Sequence, residues 1–165
     1  MKAIPIVTIG TALGSGLIAG TFFGFSTFVM KALSRLPPAQ GIGAMQSINV
    51  AVINPWFMAA FLGTGVAAAV LAVSAFLGWQ EPGAGLRLAG SLLYILGTIG
   101  VTMVFNVPQN DALAKLSPDT VEAAEQWSRY LVSWTAWNTV RTVAALAAAA
   151  LLTLALLAGA RSPSS

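Results

Sequence analysis

The charged residues of this chain are few, and the long gaps between them constrain the fold more than any other feature. Residues 3–30, 36–80, 88–110 and 142–160 carry no charge. Only 8% of the 165 residues are charged and 57% are hydrophobic, whereas a soluble domain carries about 25% charged residues. A soluble fold of this size cannot bury so much apolar surface, so we expect the surrounding solvent to be the lipid bilayer.

The uncharged segments predict four membrane spans, because a spanning helix needs about 20 mostly apolar residues. Asn54-Pro55 interrupts the second segment, and proline is favoured in the first turn of a helix. We therefore predict an all-α fold with a single transmembrane domain over residues 1–165, an integral membrane four-helix bundle. Its spans are expected at about 4–30, 55–78, 87–107 and 138–159.

The connections between the spans differ in length and character. Residues 31–54 and 108–137 form two long connections at one end of the bundle, and residues 79–86 form a tight turn at the other. The first long connection contains apolar residues at helical spacing, namely Ile42, Met45, Ile48 and Val52. This spacing predicts an additional amphipathic helix, at the membrane interface or under the bundle, between spans one and two. In the second, Ser117-Pro118-Asp119 followed by Glu122 predicts a helix that continues into span four.

The residue types that are absent exclude several kinds of chemistry. Without cysteine the chain has no disulfide, no thiolate nucleophile and no iron–sulfur ligand. Without histidine it lacks His-ligated haem, the usual zinc and copper sites and any Ser-His pair. The eight Lys and Arg residues are scattered, so we expect no nucleic-acid partner. We expect neither a metal site nor a cofactor.

Glycines recur at steps of four in the first span, at Gly10 and Gly14 and again at Gly16, Gly20 and Gly24. Steps of four place small residues on one helix face, where membrane helices can approach closely. The pattern favours helix packing, either within the bundle or between protomers of a homo-oligomer. A substrate groove along this glycine face is the alternative.

The polar residues that need an explanation gather at the end with the long connections, and the opposite end has no comparable set. They are Ser26, Thr27, Asn49, Asn54, Asn106, Asn110, Asp111, Trp134, Asn138 and Arg141. Four residues of the last span, Trp134, Trp137, Asn138 and Arg141, follow the i, i+3, i+4, i+7 spacing and share one helix face. This convergence predicts a polar pocket at one face of the membrane.

Arg141 precedes 19 uncharged residues and therefore lies at or inside the membrane boundary. A charged residue at this depth is expected to face the bundle and to have a partner, for which Asp111 is the natural candidate. Two simpler interpretations remain open. In the first, Arg141 extends to the lipid headgroups and Asp111 caps the next segment. In the second, the asparagines bind backbone groups that the prolines leave without helical partners near Pro55 and Pro108.

Several of these residues also form recognisable motifs. The segment from Phe105 to Asp111 reads N-x-P-x-N-D from Asn106, and the segment from Trp134 to Thr142 begins W-x-x-W-N-x-x-R. Together with Phe25-Ser26-Thr27 and Asn54-Pro55-Trp56, they resemble the anthrone-oxygenase-like family of small bacterial membrane proteins, over residues 20–157 or so. The resemblance implies a four-helix membrane protein. It also implies oxidation of an anthrone to an anthraquinone by dioxygen, without a cofactor.

The residues fit this chemistry in specific roles. Asp111 is the candidate base, and Arg141, Asn106 and Asn138 are candidates to hold the enolate oxygen. Trp134 and Trp137 are expected to stack on a flat polycyclic substrate. Flanking substrate contacts are expected from Phe25, Ser26, Asn49, Asn54 and Asn110.

Two functions from different classes are consistent with the sequence. The first is an oxygenase that acts on a lipophilic, anthrone-like aromatic in a bacterial inner (cytoplasmic) membrane. The second is a non-catalytic membrane protein whose polar pocket binds a lipid, a quinone or a partner subunit. A transporter is less favoured, because four spans offer little pore and no inverted repeat is evident.

Overall fold

The computed structural model describes residues 3–160 and contains five helices in that range, with no strand. Four helices are long and apolar enough to span a membrane: α1 (Ala3–Leu33), α3 (Pro55–Leu77), α4 (Ala84–Ala114) and α5 (Val121–Ala160). The fifth, α2 (Pro38–Ala51), lies between α1 and α3. The predicted all-α membrane bundle is confirmed, and the four apolar helices fit a multi-pass membrane protein.

Three of the four spans are longer than predicted, and α5 is the longest. Its 40 residues extend about 60 Å at the usual rise, roughly twice the thickness of a hydrocarbon core. Part of α5 therefore lies outside that core. The hydroxyl of Thr120 accepts a hydrogen bond from the backbone N–H of Ala123 at 3.2 Å and so caps the helix start. The prediction that this helix runs unbroken into span four is confirmed.

Helix α2 packs under the bundle by the face that the sequence predicted. Ile42 and Met45 are buried, in one cluster with Leu113 of α4 and Trp127 of α5. Gly41 lies so close to Trp127 that an added Cβ would be 2.9 Å from the indole ring. α2 thus closes the end of the bundle where the two long connections meet, which is called the site end below. The opposite end, with the α3–α4 turn, is the far end.

The spanning helices approach closely through small residues, as membrane helices do. α1 and α4 each pack mainly against α3 and α5, so they are diagonal across the bundle. A Cβ on Gly97 of α4 would lie 2.6 Å from the Cβ of Ala144, and a Cβ on Gly14 of α1 would overlap the hydroxyl of Thr64. These positions need glycine for the helices to reach their observed separation.

The predicted glycine face of α1 divides between the bundle interior and its surface. Gly14 packs inside the bundle, whereas Gly10, Gly16 and Gly20 have no other atom within 4 Å of an added Cβ. Intramolecular packing therefore explains part of the pattern. A homo-oligomer through the outward-facing glycines remains a prediction.

The far end is held by a turn and an ion pair. Gly83 adopts a left-handed φ of 82° and approaches the backbone carbonyl of Ala155, where a Cβ would lie only 2.6 Å from the oxygen. Arg87 is buried and donates to Glu81 at 3.0 Å. The core of this half also contains hydroxyl-bearing residues, since four of them are buried there: Thr8, Thr11, Ser15 and Ser91.

The helical winding of α4 determines which way the polar residues of the site face. Four polar residues recur at steps of four and are buried or half-buried: Tyr94, Thr98, Thr102 and Asn106. In a regular α-helix each step of four overshoots one turn by about 40°, so these residues would drift around the axis. The segments Leu93–Gly100 and Thr102–Asn106 are π-helical, with more than four residues per turn, so a step of four there falls short of a full turn and offsets the overshoot. The π segments thus keep the polar residues facing the bundle.

Candidate functional site

Arg141 is the centre of the polar cluster at the site end. It lies in the middle of α5 and is only 6% exposed. Its Nε and Nη2 donate to Oδ1 of Asn138 at 3.0 and 2.8 Å, and its Nη1 donates to Oγ1 of Thr102 at 3.2 Å. The guanidinium carbon lies 3.8 Å from the ring centre of Phe22 and 5.1 Å from that of Trp134. Arg141 therefore joins α1, α4 and α5.

The charge of Arg141 has no acidic partner among residues 3–160. That range contains all five acidic side chains of the chain. Glu81 pairs with Arg87 at the far end, and the remaining four are exposed: Asp111, Asp119, Glu122 and Glu125. The expected ion pair between Asp111 and Arg141 is therefore wrong. Asp111 lies on the exposed side of α4, and uncharged side chains take the guanidinium instead.

The guanidinium retains two unused donors. It has five N–H groups, and the three hydrogen bonds to protein oxygens use one on each nitrogen. One N–H on Nη1 and one on Nη2 remain. A planar pair of such groups matches the oxygens of a carboxylate, a phosphate or an enolate.

Asn138 fixes the orientation of Arg141 and is fully engaged in doing so. Its Nδ2 donates to the carbonyl of Phe22 at 2.7 Å and to the hydroxyl of Ser26 at 2.6 Å, and its Oδ1 accepts both bonds from Arg141. Thr139 donates to the same Ser26 hydroxyl at 3.0 Å. Asn138 is thus a link between α1 and α5 with no free N–H.

Asn106 links α4 to α5 and leaves one polar atom unsatisfied. Its Nδ2 donates to the backbone carbonyl of Trp134 at 3.2 Å, while its Oδ1 is buried without a hydrogen-bond partner. A buried acceptor without a donor is costly, so an unpaired atom of this kind points to a water or ligand position. Its free atom is an acceptor. Asn106 can therefore receive a bond from a hydroxyl but cannot hold an enolate oxygen in this orientation.

A second network lies next to the first and centres on Asn110. Oδ1 of Asn110 accepts from the Tyr130 hydroxyl at 2.8 Å and from the Trp134 indole N–H at 2.7 Å. The rings of Trp127, Tyr130 and Trp134 stack in sequence, with centres 5.5 and 6.0 Å apart. Phe25 of α1 packs on Trp134, with ring centres 5.8 Å apart. Trp134 therefore connects the Arg141 cluster to the Asn110 cluster.

An open groove runs beside this second network between the end of α4 and the first half of α5. Its volume is about 450 Å³, within the range of small-ligand clefts. The lining residues are Gln109, Ala112, Leu113, Leu116, Gln126, Arg129, Tyr130 and Ser133. Tyr130 is the residue that both lines this groove and belongs to the Asn110 network.

The remaining predicted residues have other positions. Asn54 caps α3, since its Oδ1 accepts from the backbone N–H of Phe57 at 3.0 Å. Trp137 stacks on Phe105 with ring centres 3.5 Å apart, on the side of α5 that faces α4. Asn49 faces the Tyr130 hydroxyl from α2, and its Nδ2 is buried without a partner. The structure thus joins most of the predicted set and leaves Asn54 and Asp111 apart from it.

Three contact residues were missed by sequence reasoning. Tyr130 lies one turn before Trp134 and so extends the series already recognised on α5, which is a signal that could have been used. Thr102 lies four residues before Asn106, on the same face of α4. Phe22 gave no signal, because it is one apolar residue among many in span one. The described residues contain no group of three or more His, Cys, Asp or Glu that could hold a metal.

Comparison with known proteins gives one match. A family model described as anthrone oxygenase matches residues 56–151, more than half of the chain. The matched segment includes Asn106, Asn110, Trp134 and Arg141, whereas the α1 contacts Phe22 and Ser26 lie before it. No curated protein and no solved structure matches this chain.

Proposed function

This chain belongs to the anthrone oxygenase family, and on that premise we propose that it is a membrane-embedded oxygenase. Its proposed substrate is a lipophilic, anthrone-like aromatic ketone, which it oxidises with dioxygen and without a cofactor. We place it in the cytoplasmic membrane of a bacterium, where substrate and dioxygen both dissolve in the lipid. A homo-oligomer through the outward-facing glycines of α1 is part of the same proposal.

The observation that carries this proposal is the unpaired charge of Arg141. A buried arginine without an anion is destabilising, since burial removes its hydration and nothing of opposite charge replaces it. Arg141 is 6% exposed, bound only by neutral groups, and retains two N–H donors. An anionic oxygen on the ligand supplies the missing charge. The enolate of an anthrone is such an anion, and it is also the form of the substrate that reacts with dioxygen.

The proposed reaction balances with dioxygen as the sole oxidant. In the first stage a methylene C–H bond breaks, the carbon bonds to dioxygen, and the proton ends on the terminal oxygen of a hydroperoxide. In the second stage the remaining C–H bond breaks and its electron pair forms the new C=O bond. The O–O bond breaks at the same time and water leaves. The carbon loses four electrons and dioxygen gains four, with one oxygen atom in the quinone and one in water.

The residues take different roles in this scheme. Arg141 holds the enolate oxygen, and Asn138 positions Arg141 because its own donors are already used. Asn106 accepts a hydrogen bond from a substrate hydroxyl through its free Oδ1. Flat surfaces for the substrate come from Phe25, Trp134 and Trp137, with Ser26, Asn49 and Asn110 around them. Asp111 stays a candidate base that would act from the exposed side of α4.

A second candidate function is binding without turnover. It is favoured by the tight packing around Arg141, since the groove of about 450 Å³ lies beside Tyr130 rather than at the guanidinium. In this alternative the chain binds a lipid, a quinone or a partner subunit, and Arg141 holds the anionic group of that ligand.

Oxygen uptake by the purified protein in nanodiscs tests the proposal. An anthrone is supplied with and without chelator, and anthraquinone absorbance is followed against the spontaneous rate. Uptake is expected to be insensitive to chelator and to fall at least about 100-fold in Arg141→Gln, because the enolate loses its cation. Arg87→Gln is the matched control, a second buried arginine that is already paired with Glu81, and should keep its activity.

The possible results separate the two functions. Wild-type uptake no faster than the spontaneous reaction would reject the oxygenase and favour the binding protein. Equal activity of Arg141→Gln and wild type would remove Arg141 from the site.

A further inference from the structure

The proposed oxidation moves protons, and few side chains at the site can exchange one. The chain has no histidine and no cysteine, and none of its five carboxylates forms an ion pair with Arg141. Two tyrosines remain, Tyr94 and Tyr130. The hydroxyl of Tyr94 donates to the backbone carbonyl of Phe61 at 3.0 Å, deep between α3 and α4. Tyr130 is therefore the buried phenol of the site end, whereas the candidate base Asp111 lies on the exposed side of α4.

The position of Tyr130 connects the groove to the cation. Its side chain lines the open groove, its hydroxyl donates to Oδ1 of Asn110 at 2.8 Å, and the same oxygen accepts from Trp134. Trp134 in turn lies 5.1 Å from the guanidinium carbon of Arg141. A continuous series of contacts thus runs from the groove to Arg141 through one phenol.

The Tyr130 oxygen also retains capacity to accept a proton. A phenol oxygen donates one hydrogen bond and still has lone pairs, and the bond to Asn110 uses only the donor. Asn110 cannot take the proton itself, because an amide oxygen is a very weak base. The hydroxyl is therefore oriented by Asn110, and its proton remains available for transfer.

We propose that Tyr130 is a catalytic proton-transfer residue, acting in the second stage of the reaction. This inference rests on the proposed function. As the O–O bond of the hydroperoxide breaks, the Tyr130 O–H bond gives its proton to the departing oxygen, which leaves as water. The proton of the remaining C–H bond moves to the Tyr130 oxygen as the C–H electron pair forms the C=O bond. Tyr130 ends as the neutral phenol, and no other acid or base is consumed.

The test compares the removal of one hydroxyl at two buried tyrosines. Tyr130→Phe keeps the ring stack with Trp127 and Trp134, and Tyr94→Phe is the matched control, a buried tyrosine outside the Asn110 network. In Tyr130→Phe, quinone formation is expected to fall about 100-fold with KM within about twofold of wild type. Oxygen uptake continues, and a substrate hydroperoxide accumulates that mass spectrometry detects. Tyr94→Phe forms quinone at the wild-type rate.

A second measurement covers the case in which Tyr130→Phe folds poorly. In wild-type protein, quinone release should slow in D₂O while oxygen uptake does not, since only the second stage transfers the exchangeable tyrosine proton.

Four results would overturn the inference. The first is quinone formation by Tyr130→Phe within about threefold of wild type. The second is an equal loss in both tyrosine variants, which marks a structural effect. The third is a loss confined to Asp111→Asn, which moves the proton transfer to that carboxylate. Absence of wild-type uptake would overturn the proposed function together with this inference, whereas the other three leave the oxygenase intact.

Discussion

Each half of the bundle buries one arginine and one tyrosine, and the two halves treat them differently. Toward the far end Arg87, 7% exposed, pairs with Glu81, and Tyr94, seven residues further along α4, donates to the backbone carbonyl of Phe61. At the site end Arg141, 6% exposed, is bound by uncharged groups, and Tyr130 donates to a side chain that also binds an indole. Residue type and burial are matched, so the difference lies in the partners.

The comparison teaches that burial alone does not mark a functional residue. In the far half Nη2 of Arg87 meets a carboxylate and the Tyr94 hydroxyl meets a backbone carbonyl, although Nε of Arg87 is buried without a hydrogen-bond partner. In the site half a positive charge and one amide oxygen, Oδ1 of Asn106, are left without a counterpart. Buried atoms without a hydrogen-bond partner occur in both halves, at Ser15 and Ser91 as well as at Asn106. The feature particular to the site half is a buried positive charge without a carboxylate among the described residues.

An anion supplied by the protein itself should remove the difference between Arg141 and Arg87, and this change is expected to have the largest effect. Thr102→Asp places a carboxylate where the Arg141 Nη1 now meets a hydroxyl, so that Arg141 comes to resemble Arg87. Oxygenase activity is expected to fall at least about 100-fold, because the cation is neutralised before substrate binds, while the thermal midpoint is unchanged or higher. Activity is measured by anthraquinone absorbance and stability by thermal unfolding in detergent.

Thr102→Asn is the control for that substitution, since it has the same shape without the charge. Equal activity of the two variants would mean that an internal anion does not compete with the substrate. The unpaired charge of Arg141 would then not be needed for activity.

Close helix packing brings α4 and α5 together at Gly97, and Gly97→Ala tests it. The new Cβ would lie 2.6 Å from the Cβ of Ala144, so α4 and α5 must separate. Overpacking of this kind costs about 1–3 kcal/mol. Gly63→Ala is the matched control on α3, where a Cβ meets no atom within 4 Å and the substitution should stabilise by up to about 1 kcal/mol. Unfolding in increasing SDS would measure both, and equal midpoints would contradict the packing argument.

Much of the fold could be predicted from the sequence because charge and proline positions mark helix ends directly. The gaps between charges located the spans, and the i, i+3, i+4, i+7 series placed Trp134, Asn138 and Arg141 on one buried face. The amphipathic pattern that begins at Ile42 identified the face of α2 that packs under the bundle. These patterns are local in sequence. Because a helix has a fixed periodicity, the spacing of residues along the chain is enough to predict which of them share a helix face.

The partners of the site residues could not be predicted, because they depend on the helix winding and on contacts between distant segments. Charge complementarity favoured Asp111 for Arg141, but Asp111 falls on the outer side of α4. Thr102 takes that place because the π-helical segments of α4 keep it in line with Asn106. The i, i+4 spacing places Thr102 and Asn106 on one helix face but does not show that this face meets Arg141, and nothing in span one distinguishes Phe22 from its apolar neighbours.

Tyr94→Phe and Tyr130→Phe together separate the effect of a buried tyrosine hydroxyl on stability from its effect on activity. Tyr94→Phe removes one buried hydrogen bond, to the carbonyl of Phe61, and should cost about 1 kcal/mol. Tyr130→Phe should lower stability by a similar amount, since it also removes one bond, yet it alone should lower quinone formation. Thermal unfolding of both variants beside the activity assay checks this. A large activity loss in Tyr94→Phe would show that the two halves are not functionally distinct.

The smallest expected effect concerns the ion pair of the far end. Glu81→Gln leaves Arg87 without an anion, as Arg141 is now, but the Glu81 side chain is 45% exposed and solvent screens the pair. The expected cost is therefore only about 0.5–1 kcal/mol at low salt, decreasing as the ionic strength rises. Unfolding midpoints at two salt concentrations measure it.

A Glu81→Gln protein as stable as wild type at every salt concentration would mean that this bundle tolerates a buried, unpaired arginine without a ligand. The reason for expecting an anion at Arg141 would then disappear. A measurable, salt-dependent cost at the more exposed far end implies a larger cost at Arg141, because no carboxylate or solvent screens the charge there. That larger cost is what a bound anionic oxygen would offset.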